Sequence, residues 1–110
     1  MNALKNKVQL IGNLGNDPEI INLESGKTLA KFSLATNESY KNANGEKVVD
    51  TQWHNIVAWG KTAMIAEKFL DKGKEVAIEG KLTTRSWEDK DGFKRYITEI
   101  VCSELLMLSK

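Results

Sequence analysis

The sequence predicts an all-β fold, a small β-barrel carrying one helix, on three observations. Apolar and polar residues alternate along several long stretches, the period expected of half-buried strands. The alternation breaks once, over residues 61–72, where the spacing turns helical. Asn44-Gly45 and Asp91-Gly92 stand between strand-like runs as hairpin turns. A chain of 110 residues has room for one domain, residues 1–110, with a thin core. In so thin a core, a large apolar side chain kept outside invites a functional explanation.

Along residues 6–14, Val8, Leu10 and Leu14 share one parity while Lys7, Gln9 and Asn13 share the other. Gly12 and Gly15 permit a bend where a barrel strand turns its corner, and Pro18 sits in a turn composition, Gly-Asn-Asp-Pro-Glu. Residues 28–40 alternate again, with Ala30, Phe32 and Leu34 opposed to Lys31 and Ser33. A polar stretch, 41–47, is expected as a mobile loop, and a strand is expected from about 48 to 59. Ile65, Ala66, Phe69 and Leu70 then form one helical stripe, with Gly73 as the stop, because glycine accepts a left-handed backbone without steric cost. Alternation returns over 75–87 and continues over 93–108; Val76, Ile78 and Leu82 are expected inward, unless a bulge at Gly80 resets the parity. This order matches the OB-fold, a five-stranded Greek-key barrel with one α-helix between the third and fourth strands. Periodicity alone also admits an SH3-like barrel or another small α+β fold.

Sixteen basic residues against fifteen acidic ones give a net charge of +1, less basic than a duplex-wrapping protein usually is. The basic residues are nevertheless uneven, with Lys5, Lys7, Lys27, Lys31, Lys41 and Lys47 in the first half. Cys102 is the single cysteine, which excludes an internal disulfide and a cysteine-cluster metal site. Neither a signal-like segment nor an apolar run of about 20 residues is present, so a cytoplasmic protein is expected. An enzyme is not expected. His54 is the one histidine and reads as a structural or interface residue, Glu19, Glu24, Glu38 and Asp50 are scattered, and Gly12-Asn-Leu-Gly15 lacks the spacing of a phosphate loop. Neither a cofactor nor a metal is called for.

Three tryptophans are the most informative residues. Trp53, Asn55, Val57 and Trp59 share one face of their strand, opposite His54, Ile56 and Ala58, and two tryptophans six residues apart stand about 20 Å from each other. On the strand from 75, Trp87 shares the face of Lys81, Thr83 and Arg85. Tyr40 closes the strand beside the polar loop. For an arbitrary tryptophan in a small β domain the core is the usual place, and Val57 argues for it here. Against it, each strand already has an apolar set of opposite parity. Exposed aromatics interleaved with cations and amides suit single-stranded nucleic acid, because every base has a π-face and stacking is worth about 1–3 kcal/mol per base.

Longer stretches carry a family resemblance. Asn6-Lys-Val-X-Leu-Ile-Gly-Asn-Leu-Gly-X-Asp-Pro-Glu19, Phe32-Ser-Leu-Ala-Thr-X-Glu-Ser-Tyr40, Thr51-Gln-Trp-His54, Trp59-Gly-Lys61, Lys72-Gly73, Ile78-Glu-Gly-Lys-Leu82 and Thr84-Arg-Ser-Trp87 resemble the bacterial single-stranded DNA-binding proteins, over residues 4–108. The resemblance implies an OB-fold, a homotetramer with single-stranded DNA wrapped over its outside, and a non-catalytic role in replication, recombination and repair. By resemblance Trp53, Trp59 and Trp87 are base-stacking residues, and Tyr40 stands where the family often has tryptophan. Phe69 matches a position commonly aromatic, although its helical stripe makes core an equal reading. Lys7, Lys61, Lys72 and Arg85 match basic positions near the DNA path. Asn13 and Asn55 complete the candidate site, Asn55 replacing what is often arginine. His54 matches a histidine associated with subunit contacts. The family typically continues to a flexible linker and an acidic tip that recruits replication and repair enzymes. Here the sequence ends at Leu108-Ser-Lys110, so a short form is expected, without recruitment through such a tip and without a membrane partner. An OB-fold protein working mainly by protein contacts, or an RNA-binding OB domain, remains the alternative.

Overall fold

The structure, a computed structural model, describes residues 4–108. Six strands and one helix follow in the order β1 (Val8–Leu14), β2 (Glu19–Asn22), β3 (Thr28–Lys41), β4 (Lys47–Trp59), α1 (Gly60–Phe69), β5 (Glu75–Glu88) and β6 (Lys94–Met107). The strands pair in the order β1-β5-β6-β4-β3-β2, and a further β1–β3 pairing closes the sheet on itself. Five of them, β1, β3, β4, β5 and β6, therefore make the expected OB-fold barrel, with α1 between its third and fourth strands. The short β2 pairs with β3 alone, from Glu19 opposite Lys31 to Asn22 opposite Thr28.

Closure depends on Gly12 and on the turn of β1 that follows it. Residues 8–13 of β1 pair with β5, and Asn13 and Leu14 pair with Ala35 and Leu34 of β3, so one strand serves two neighbours across the corner. A β-carbon at Gly12 would overlap the Ala35 carbonyl, so the corner admits no side chain there. The inward parity of each strand, with α1, supplies the core. Leu14, Phe32, Leu34, Ile56, Ala58, Val76, Ile78, Ile100 and Cys102 meet Ala63, Ala66 and Leu70 from the helix segment. Cys102 is buried, and burial pushes its thiol up to about 11, leaving it protonated at neutral pH.

Three expectations about the helix and the polar loop are corrected. The buried helix face is Ala63, Ala66 and Leu70, whereas Ile65 and Phe69 are exposed; small alanines let the helix backbone sit close on β3 and β4, which leaves no space for larger residues of the neighbouring parity. The helix stops at Phe69, with Leu70 as its extended C-cap, and Gly73, at φ 93°, shapes the turn beyond it by donating to the Leu14 carbonyl at 2.9 Å. The stretch expected as a mobile loop over 41–47 is mostly a compact turn, because Asn42 Oδ1 accepts the N–H groups of Asn44 and Glu46 and strands run up to Lys41 and from Lys47.

A bulge does occur between Glu79 and Gly80. Glu79 pairs with Glu104 and Gly80 with Cys102, so the extra residue is Ser103 of β6 and β5 keeps its alternation. Val76 and Ile78 point inward as expected, but Leu82 is 48% exposed because β5 there has run past the barrel into a hairpin. The β3–β4 and β5–β6 hairpins both project in this way. The radius of gyration of 16.2 Å exceeds the value of about 13 Å expected for a compact domain of this length.

Candidate nucleic-acid interface

Cross-strand pairing decides which outward side chains share a surface. Trp53 lies opposite Ala35, Asn55 opposite Ser33, Val57 opposite Lys31 and Trp59 opposite Leu29, on one face of β3–β4. Val57 pairs in parallel with Val101 of β6, and Val101 faces Lys81 of β5. Because β5 keeps its parity, Lys81, Thr83, Arg85 and Trp87 continue that same face. One outer surface over β3, β4, β6 and β5 thus carries all three tryptophans with Asn55, Arg85, Lys31 and Lys81. Trp53, Trp59 and Trp87 are 62%, 42% and 46% exposed, values that remove them from the core.

Val57, the residue that argued for a buried face, is buried on this outer surface. It lines a shallow hollow with Lys31, Ser33, Asn55, Arg85 and Glu99, an apolar floor with a polar rim. Arg85 spans the hollow as a paired group. Its Nε donates to Glu99 Oε1 at 2.9 Å and its Nη2 to Oε2 at 3.3 Å, a fork that compensates the buried Glu99 carboxylate and fixes the guanidinium plane. These bonds raise the Arg85 pKa further above its ordinary value. Half its side chain still faces water, so the fixed guanidinium can stack or donate outward while part of its charge is neutralised.

Trp53 is seated by small neighbours. A β-carbon at Gly15 would overlap the Trp53 ring and crowd Ser33 Oγ. Asn16 Oδ1 in turn accepts from the Ser33 N–H at 2.9 Å and from Ser33 Oγ at 2.7 Å, holding that neighbour in place. Trp59 ends β4 and begins α1, and it lines a second hollow with Lys27, Thr28, Lys61 and Met64. Lys61 stands in the first helical turn, where no acidic residue offsets the positive end of the macrodipole. That arrangement costs helix stability and favours an anion.

The remaining candidates are less concentrated. Lys7 sits beside Lys5 and Lys81 and pairs with Glu79 at 3.5 Å. A hydrogen bond from Gln9 is the main cause holding the Glu79 carboxyl below its usual range, with Lys7 adding to it. Asn13 donates its amide to the Gly73 carbonyl at 3.1 Å and thus ties β1 to the turn after the helix. The Lys72 N–H is held by Asp17 at 2.8 Å. Phe69 is 45% exposed on α1 with Lys68 Nζ 5.5 Å from its ring centroid, which decides against the core reading but does not bring it onto the tryptophan face. Tyr40 is exposed too, but it pairs with Val48 on the parity of Leu34 and His54, the reverse face of the ribbon. His54 is half-buried there, its Nε2 3.0 Å from Thr36 Oγ1, in a hollow lined by Leu82, Thr98 and Ile100 and, from the tryptophan face, by Trp53 and Asn55.

Lys31, Lys81 and the Asn16 clamp escaped the sequence-based site. Parity placed both lysines on the correct faces, but only the parallel β4–β6 pairing, invisible in the sequence, joins those faces. Among the described residues no group of three or more histidine, cysteine, aspartate or glutamate side chains is close enough to hold a metal ion, and no helix is long and apolar enough to cross a membrane.

The sequence profile of the Single-strand binding protein family matches residues 5–108. Single-stranded DNA-binding protein 1 of Chlorobaculum tepidum is 54% identical over 104 residues, which cover 94% of this chain and 64% of that protein. Single-stranded DNA-binding protein 1 of Xylella fastidiosa is 45% identical over 109 residues, 98% of this chain and 80% of that protein. A solved structure described as Plasmodium falciparum SSB complex with ssDNA superposes with a TM-score of 0.84 at 38% identity, covering 94% of this chain and 95% of that one. The chain belongs to the single-strand binding protein family.

Proposed function

We propose that this chain binds and protects single-stranded DNA without reading its sequence, in replication, recombination and repair. The carrying observation is the outer surface on which Trp53, Trp59 and Trp87 stand exposed among Asn55, Arg85, Lys31 and Lys81. Three stacked bases supply about 3–9 kcal/mol gross, at about 1–3 kcal/mol each, enough to hold a strand on a protein of nearly neutral charge. Lys7, Lys61 and Lys72 add phosphate contacts along the path. Tyr40 and Phe69 lie off the main face and serve a strand that passes over the hairpin edge or the helix. Membership of the family and the DNA-bound neighbour support this reading; the chain spans 64% of the length of its Chlorobaculum relative, so it describes the part present here.

The chain works as a homo-oligomer, a tetramer in the family manner. Two exposed apolar surfaces support this. One is the row formed by Ile11, Ala77 and Leu106 across β1, β5 and β6; the other is the hollow of His54, Leu82 and Ile100, which Trp53 and Asn55 also line. Titration with oligo-dT tests the function directly, because stacking on bases quenches indole emission. Quenching that saturates, with oligo-U competing poorly at matched length, supports DNA as the ligand. Unchanged emission at all concentrations refutes it, and equal competition by oligo-U moves the assignment to RNA.

A further inference from the structure

The β5–β6 hairpin ends in an exposed phenylalanine that neither the resemblance nor the aromatic count of the strands assigned. Phe93 is 63% exposed, more than Trp87 or Trp59. A single exposed apolar residue is ordinary, but this one is neither isolated nor loosely held. Trp87 pairs with Arg95, Glu88 with Lys94, and Asp89 follows opposite Phe93, its N–H donating to the Phe93 carbonyl at 2.9 Å. Alternation places Phe93 on the parity of Arg95 and Trp87, and the Arg95 Nε to Asp89 Oδ2 bond of 2.8 Å shows that this parity shares one face up to the turn. Phe93 and Trp87 are then diagonal neighbours across the ladder, about 7–8 Å apart, within reach of one another's ligands.

The tip is also fixed in advance. Asp89 Oδ1 accepts the N–H groups of Asp91 at 3.0 Å and Phe93 at 2.9 Å, and Gly92, at φ 83°, donates to the Asp89 carbonyl. Both backbone groups of Phe93 are thus committed to Asp89, while its ring faces water. A platform held this way gives up little conformational freedom on binding. Arg95 shares the face of the ring, its Nε held by Asp89 and more than half of its side chain exposed, whereas Lys94 points to the other face, over Tyr96.

We propose that Phe93 is a further base-stacking residue, which carries the single-stranded DNA path from Trp87 over the tip of the β5–β6 hairpin. The proposal rests on the DNA-binding function argued above. Stacking of one base at about 1–3 kcal/mol corresponds to about 5- to 140-fold in affinity. Phe93→Ala and Phe93→Leu are therefore expected to weaken binding of a long oligo-dT by that factor. Phe93→Tyr should keep the affinity, and the salt dependence should stay as in the parent, because no phosphate contact is removed. Phe93→Trp adds a direct reporter, whose emission should be quenched on binding beyond what the parent protein shows. Parent-like binding by the Ala and Leu variants, in a protein whose Trp87→Ala variant is weakened, overturns the proposal and leaves the function intact. So does an unquenched Trp at 93, or a Phe93→Ala variant that changes the light-scattering mass without changing affinity. If the parent protein itself fails to bind oligo-dT, the function falls first, and the Phe93 platform falls with it.

Discussion

The Trp53 indole rests against Gly15, and that contact ties affinity to a residue with no side chain of its own. Gly15→Ala puts a methyl group into the ring and against Ser33 Oγ, so Trp53 must swing away. This variant is expected to weaken oligo-dT binding about as much as Trp53→Ala does, by about 1–3 kcal/mol, as read by fluorescence titration. Trp53→Ala and Trp87→Ala should keep the melting temperature of the parent within a few degrees, because neither side chain is in the core. A large loss of stability with unchanged affinity would instead return these residues to a packing role. The outward position of the tryptophans was legible in the sequence because each shares parity with polar neighbours. Phe69 was not legible. Helical spacing put it in one stripe with Ile65, Ala66 and Leu70, and only the close approach of Ala63 and Ala66 to the barrel turns it outward.

Two hairpins built alike show how much of each element is local chemistry. Asn42 and Asp89 occupy the same position, each accepting two backbone N–H groups three residues before or at a glycine-containing turn. The difference is charge: Asp89 also binds Arg95, and this bond, with the Phe93 N–H next, holds its carboxyl below the ordinary range. A lowered folded-state value means that the stabilisation is present above the unfolded pKa and is lost as pH falls through the folded one. The amide resonances of Asp91 and Phe93 are therefore expected to shift on acidification below the usual carboxylate range, while those of Asn44 and Glu46 follow no such titration. Asp89→Asn should abolish the shift and keep the turn, since Asn42 shows that an amide oxygen suffices. Turn signals, strand extents and the helix position were all readable from single residues and parity. The four-residue β2 was not, because adjacent Ile20 and Ile21 are both half-buried and give no alternation. A bulge at Gly80 stood only as an objection to the parity of β5; the bulge found there puts its extra residue in β6, which pairing alone reveals, and leaves that parity intact.

At the scale of the whole molecule, function follows from what the barrel leaves uncovered. Binding that relies on stacking with a modest number of lysines predicts a shallow salt response. The log–log slope should be about −0.7 for each phosphate contact, and it should lose about that amount in Lys61→Ala. The apolar row leads to a prediction about assembly. Ile11 and Leu106 are 61% and 63% exposed with Ala77 between them, and Ala77 lies ten residues, or about 33 Å of strand, from Trp87 on the same outward parity of β5. An apolar row this exposed is a liability in a monomer and an asset in an assembly. Leu106→Glu would place a charge in this apolar row, where its desolvation against a second copy is costly. Light scattering should therefore report a multiple of 12.3 kDa for the parent and a smaller species for the variant. The variant should still quench on a short oligo-dT, because the tryptophan face is complete within one subunit. It should lose affinity selectively for oligo-dT long enough to pass from one subunit to the next, because the linked sites that multiply the affinity would be gone. Equal masses for parent and variant would remove this row from the interface and leave the His54 and Leu82 hollow as the surface to test next.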